Sequence, residues 1–355
     1  SRIFLQNLKR KNDPNKPGRY SLKPLSDTQI KSREPNFTGR QTVIRLDKGV
    51  HQIKLKGNEV EGFKGNNGND TFGIVSEGSF MPDASEWKKV LLPWTVRAFN
   101  NDGQFNTFNQ EEKNGKPKYS QKYRSRDNSN NNGNRNLGDI VNSPIVAVGG
   151  YLATSANDGM VHIFKKNGGG DDRNYSLKLS YIPGTMPRKD IQSQDSTLAK
   201  ELRAFAEKGY VGDRYGVDGG FVLREVERDG KTRVFMFGAM GFGGRGAYAL
   251  DLTKADGSDP TAVSLFDVKN DKNKGNNSAE LGYTVGTPQI GKTHNGKYAA
   301  FLASGYATKD INNGDNKTAL YVYDLESNNG TPIAKIEVPN GKGGLSSPTL
   351  VDKDL

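Results

Sequence analysis

The carboxylates closest to a metal-binding spacing are Asp352 and Asp354, one residue apart in the sequence. Alternate carboxylates in a tight loop can converge on a hard cation, but two alone do not make a site. Taken by itself the pair reads as a solvated turn. Two further oxygen-rich stretches, Asp267/Asn270/Asp271/Asn273 and Asp310/Asn312/Asn313/Asp315, lack the glycine and distal glutamate of an EF-hand loop and read as surface turns. The three histidines, His51, His162 and His294, fall on separate turns or strands. No two have zinc-ligand spacing, and a Ser-His-Asp triad has little to recruit. Asn157-Asp158-Gly159 reads as a tight turn. The run Gly241 to Gly246 follows a strand but leads into another strand, so no helix N-terminus is there to hold a phosphate. With no cysteine, thiolate metal sites, disulfides and cysteine nucleophiles are excluded, and Arg-Gly-Asp does not occur. No catalytic constellation emerges, and an enzyme is not expected.

The elements around these residues are short strands in a recurring pattern. Ser143-Pro144 opens a strand from Ile145 to Val148, a Gly-Gly turn follows, and Tyr151 to Ser155 and Met160 to Phe164 complete a meander. A second copy runs from Gly220 through Val222–Val226, a turn at Asp229-Gly230, Arg233–Gly238 and Ala247–Leu252. A third starts at Thr287-Pro288, passes the His294-Asn295-Gly296 turn and continues through Tyr298–Ser304 and Ala319–Leu325. Ser347-Pro348 opens a fourth. The starts at 144, 220, 288 and 348 are 76, 68 and 60 residues apart. Sheet units at such spacing point to a propeller. Strands such as Tyr-Val-Tyr-Asp-Leu, apolar on both faces, suit blades packed between neighbours.

Low mean hydropathy (−0.76) with 43 glycines fits an all-β fold with long polar turns, and no apolar run is long enough to span a membrane. The first residues lack the apolar core of a signal peptide, so the chain reads as a fragment of something longer. Residues 1–135 carry 25 Lys+Arg against 14 Asp+Glu, a net +11, and the remainder balances at 26 against 26. That asymmetry suits an acidic partner or simply a solvated basic face. Aromatics beside the basic runs are sparse, which argues against nucleic acid as a partner. Residues 1–40 read as an extended arm, Gln41 to Leu55 as a hairpin, and Ser85 to Phe99 as a helix broken at Pro93. Residues 100–136 read as a polar insertion, least ordered over Asp127 to Asn136, and Gln194 to Lys208 as a helix between blades. The expected division is a basic segment, 1–135, able to contribute propeller strands, and propeller blades over 136–355 with the last one truncated.

The segments GDIVNSPIV, SANDGMVHIF, ELRAFAEKGYVGDRYGVDGGFV and FMFGAMGFGGRGAYALDL closely resemble the C-terminal β-propeller region of the PilC/PilY family of type IV pilus tip proteins, with wording nearest the neisserial PilC adhesins. The resemblance implies quinoprotein-like blades, seven in an intact ring, and a non-enzymatic factor for pilus biogenesis and host-cell adhesion. It further implies a place at the pilus tip or outer membrane. Its partners would be pilus subunits or minor pilins and a host-cell receptor. It implies a calcium loop in the propeller as well, of which Asp352 and Asp354 would be the first half. Two other readings differ in class. One is a polyanion-binding module, for glycosaminoglycan or DNA, acting through the basic first third. The other is a quinoprotein-like enzyme, which the blade pattern allows but fold alone does not establish.

Overall fold

The computed structural model describes residues 1–6, 9–10, 20–21, 24–37, 39–46, 49–56, 59–61, 112–113, 116–117, 137–185, 215–269, 279–306, 317–327 and 329–351. In chain order the strands begin with a short ladder, β1 (Lys9–Arg10) against β2 (Tyr20–Ser21). A hairpin follows, β3 (Gln41–Leu46), β4 (Gly49–Lys56) and β5 (Glu59–Glu61), and then a second short ladder, β6 (Glu112–Lys113) with β7 (Lys116–Pro117). Three antiparallel meanders of four strands come next. The first is β8 (Val146–Val148), β9 (Tyr151–Ser155), β10 (Val161–Asn167) and β11 (Asn174–Ile182). The second is β12 (Phe221–Arg228), β13 (Lys231–Ala239), β14 (Gly246–Asp251) and β15 (Ser264–Lys269). The third is β16 (Gln289–Lys292), β17 (Tyr298–Ala303), β18 (Ala319–Asp324) and β19 (Ala334–Glu337).

These sheets are propeller blades. Their first strands, β8, β12 and β16, lie side by side, and each blade steps outward from there. Blade two shows why its strands are apolar on both faces. Successive side chains point to opposite sides of a strand. Phe221, Leu223, Val234, Met236, Tyr248 and Leu250 therefore pack against blade one. Their neighbours Val226, Phe235, Phe237, Ala247, Ala249 and Phe266 pack against blade three. The architecture is all-β and propeller-like, as the repeat spacing indicates.

Each blade has a fourth strand where the sequence pattern shows three. The added strands β11, β15 and β19 are the outermost, and polar or charged residues interrupt them (Lys178 in β11, Asp267 in β15, Lys335 in β19). β15 and β19 are edge strands of their sheets, and an edge strand needs no continuous apolar run, so the pattern is faint. β11 also pairs in parallel with β3, from Leu179 opposite Gln41 to Ile182 opposite Ile44, which joins the expected hairpin to the rim of blade one.

Residues 1–40, expected as an extended arm, hold structure. Asp27–Lys31 form a short helix, α1, capped by a reciprocal pair: Ser26 Oγ accepts from the Gln29 amide and the Gln29 side chain accepts from the Ser26 amide. Asn36 bridges to Ser176 beside β11. Phe37 meets Phe164 edge-to-face at 5.9 Å, and Ile3, Phe37, Leu137, Phe164 and Leu177 form a small cluster on the face of blade one turned away from blade two. The arm is thus a cover for an apolar sheet face. On blade three the corresponding outward face carries Ile336, 59% exposed, with Val338 and Leu350 partly exposed nearby. The expected helices at 85–99 and 194–208 lie outside the described residues.

The recurrent Ser/Thr-Pro starts have a physical role. Ser143 Oγ accepts from both the amide (2.9 Å) and the hydroxyl (2.8 Å) of Ser155, tying the start of blade one to its second strand. Ser347 Oγ accepts from the Thr287 amide at 2.9 Å, tying the fourth start to the third.

Candidate functional site

Sequence reasoning finds no zinc-spaced histidine pair and little for a triad to recruit, and the structure sets one histidine, His162, in a buried polar line. His162 on β10 lies directly opposite Ser180 on β11, and its Nδ1 is 2.8 Å from Ser180 Oγ. Its Nε2 is 2.8 Å from Asp158 Oδ2, in the Asn157-Asp158-Gly159 turn. The same Oδ2 accepts the Gly138 amide at 3.0 Å, and Oδ1 accepts the Met160 amide at 3.1 Å. The imidazole thus bridges the Asp158 carboxyl group and the Ser180 hydroxyl through its two ring nitrogens. The order Asp-His-Ser is that of a hydrolase triad, but Ser180 is 0% exposed and Asp158 and His162 are equally enclosed. No substrate carbonyl reaches that Oγ, so the line works as a staple between the 137–140 segment, the turn and the outer strands of blade one. A histidine within the apolar run Met-Val-His-Ile-Phe was the available signal, because a buried imidazole needs partners. His51 on β4 and the exposed His294 in the β16–β17 turn stand elsewhere.

Asp267 is a correction. Expected in a surface turn, it sits on β15 with its side chain 3% exposed. Its Oδ1 accepts from Tyr181 Oη and its Oδ2 from the Gly184 amide, both at 2.7 Å. Ser264 Oγ donates to Tyr181 Oη at 3.0 Å and accepts from Arg45 Nε at 2.8 Å. Burial pushes the Asp267 carboxyl above the ordinary range, against the nearby Arg45 guanidinium and the two donors. Burial likewise drives the Tyr181 phenol well up. The network joins β3 and β11 of the first sheet to β15 of blade two. Nearby, Tyr151 Oη donates to Asp256 Oδ2 at 2.7 Å, and Lys165 Nζ reaches both, making a second clamp across the same junction.

The glycine-rich run is also structural. Gly241 has φ +57°, and a Cβ at Gly243 would collide with the backbone of Gly216, so these glycines let two loops touch. The short 3-10 turn Gly241–Gly243 leads into β14, and no helix follows. Asp352 and Asp354 lie outside the described residues, as do Asn270, Asp271, Asn273 and 310–315. Among the described residues no three His, Asp or Glu side chains converge as metal ligands.

A cleft of about 740 Å³ opens where the β12–β13 turn and the β14–β15 connection of blade two meet the β18–β19 loop of blade three. Arg228 on its wall is held by Glu326 through two bonds of 2.7 and 2.8 Å and also donates to the Gly296 carbonyl. Arg233 pairs with the fully buried Asp251 at 3.0 Å and lies 4.5 Å over the Phe235 ring. Lys231 and Lys254 complete the cationic lining, and both are exposed. Leu265 and Ala262 form an apolar strip beside them.

Comparison with known proteins gives this architecture a family. The model of the PilY1 beta-propeller domain matches residues 137–355, which holds all three blades. The type IV pilus biogenesis factor PilY1 of Pseudomonas aeruginosa strain PAK is 30% identical over 268 residues, 65% of this chain and 20% of that protein. A PilY1 homologue of Xylella fastidiosa is 29% identical over 191 residues, 54% of this chain and 11% of its own. The chain thus spans about a fifth of the length of the Pseudomonas relative. A crystal structure of the P. aeruginosa PilY1 C-terminal domain is 26% identical, covering 57% of this chain and 34% of its own, with a TM-score of 0.36. With the family model matched over well over half its length, this chain belongs to the PilY1 β-propeller domain family.

Proposed function

We propose that this chain is the propeller-bearing part of a type IV pilus biogenesis factor, acting without catalysis as a platform whose loops engage other proteins. The observation that carries this reading is the family match over residues 137–355, joined by relatives named as type IV pilus biogenesis factors. The chemistry agrees with it. The Asp-His-Ser line and the Asp267 network are spent on holding blades together, and neither presents a nucleophile or base to solvent. Pilus subunits or minor pilins are the partners this reading calls for, and the cell surface, at the pilus tip or outer membrane, is its location. No helix among the described residues is long and apolar enough to cross a membrane. An adhesive role toward a host receptor and a calcium loop beginning at Asp352 and Asp354 are finer parts of the same proposal. They rest on the sequence resemblance and on the affinity of paired carboxylates for hard cations.

Deleting residues 137–351 from the parent gene, in a strain that still makes the major pilus subunit, should abolish surface pili counted by electron microscopy. Normal piliation in that strain would remove the proposal. Calcium titration of Asp352→Ala and Asp354→Ala variants tests the metal part separately, and unchanged calcium affinity would discard it.

A further inference from the structure

We infer that the cleft between the second and third blades binds an acidic saccharide, one bearing carboxylate or sulfate groups. This stands apart from the pilus proposal and rests on the cleft alone. Its volume of about 740 Å³ is that of a small-ligand site and accommodates a short oligosaccharide. Its charges are unevenly spent. Arg228 is neutralised by Glu326 and Arg233 by Asp251. Lys231 and Lys254 have no carboxylate partner among the described residues, and Asp229 is the remaining acid on the lining. The unspent charge is therefore positive.

The hydroxyls narrow the ligand further. Thr232 donates its proton to Glu227 and Thr253 donates to Asp251. Each oxygen keeps lone pairs but has no proton to offer, so a ligand meeting them must bring its own hydrogen-bond donors, which sugar hydroxyls supply. Leu265 and Ala262 add apolar lining against which the C–H face of a pyranose ring can pack. A run of glutamates would answer the lysines without supplying hydroxyls. A neutral sugar would answer the hydroxyls and leave the lysines unpaired. A sugar acid or sulfated sugar does both.

The test is calorimetric titration of the whole 355-residue chain at low salt with four probes: a sulfated heparin-derived tetrasaccharide, a uronate-only hyaluronan tetrasaccharide, a neutral tetrasaccharide and hexaglutamate. At least one acidic saccharide should bind, and comparing the two tells sulfate from carboxylate. The neutral sugar and hexaglutamate should bind about tenfold or more weakly, and binding should fade as salt screens the lysines. The K231E/K254E variant, changed only at exposed side chains, should keep the wild-type melting temperature and lose about tenfold or more in affinity. Four results would each overturn the assignment: no acidic saccharide binding to the wild type, unchanged affinity in the double variant, hexaglutamate binding equal to the saccharide, or binding lost on neutralising Lys9, Arg10 and Lys11 instead.

Discussion

Replacing Asp158 by Asn tests the idea that the enclosed Asp-His-Ser line is a staple. The carboxylate accepts three donors, the amides of Gly138 and Met160 and Nε2 of His162. An asparagine of the same shape has one oxygen. If that oxygen keeps Met160, the new amide faces the Gly138 N–H donor to donor. Either ring nitrogen of His162 can donate or accept and so can adapt, but the Gly138 amide can only donate. One stranded buried amide costs about 1–3 kcal/mol, and losing a charge-assisted bond at Met160 adds roughly 1 kcal/mol, giving about 2–4 kcal/mol in all. For a unit of this size each kcal/mol lowers Tm by about 2–4 °C, so a fall of roughly 5–15 °C is expected. Differential scanning calorimetry of both proteins measures it. Ser180→Ala removes only the last link of the line and should cost less, about 1 kcal/mol. A loss under about 1 kcal/mol for Asp158→Asn, or a Ser180→Ala loss as large as it, would refute the staple and the donor arithmetic behind it.

Gly238 faces Tyr248 across the β13–β14 ladder, and a methyl there would collide with the buried ring, so Gly238→Ala should cost about 1–3 kcal/mol or more by urea melting. A Gly150→Ala control, where a Cβ would meet nothing but φ is +79°, should cost about 1 kcal/mol through the backbone alone. Asp267 has its folded pKa raised by burial, so it favours folding below the unfolded carboxylate value and loses that contribution as pH rises through the folded one. Relative to wild type, Asp267→Asn should therefore become progressively less destabilised, or more stable, as pH is raised from acid to neutral. A stability difference flat across that range in a pH series of melts would contradict the assignment.

The inner parts of the blades were legible in the sequence because their demands are strict. Arg233–Gly238 lies between two packed blades and Tyr151–Ser155 and Ala319–Leu325 each pack against blade two, so their runs are apolar, and the turns at Asp229-Gly230 and Asn295-Gly296 carry the residues that tolerate positive φ. The outer strands are less legible because polar residues break their apolar runs, and Asp267 reads as a loop residue for the same reason. Its burial depends on Arg45 and Tyr181, 222 and 86 positions away, a proximity no local pattern encodes. The His162 partnership is similarly hidden. Asp158 precedes it by only four residues, but Ser180 arrives by strand pairing across the β10–β11 turn. The helix at Asp27 did carry a local sign, the Ser26-x-x-Gln29 box, overlooked beside the prolines around it.

The two described blade junctions use different chemistry, and this bears on how the platform responds to its surroundings. Between blades two and three an aromatic group fills the contact, with Phe237 stacked on Tyr323 at 5.9 Å, Tyr321 on Tyr323 at 6.5 Å and Phe266 beside them, and the Arg228–Glu326 ion pair sits at its margin. The ring contacts are insensitive to ionic strength, and the ion pair is not. Between blades one and two an apolar interior is fenced by Arg45–Ser264–Asp267–Tyr181 and by Tyr151–Lys165–Asp256. The second of these is partly exposed and weakens with salt; the first is shielded and answers to pH. Arg45 belongs to β3, so the hairpin from the basic first third is fastened to blade two as well as to β11.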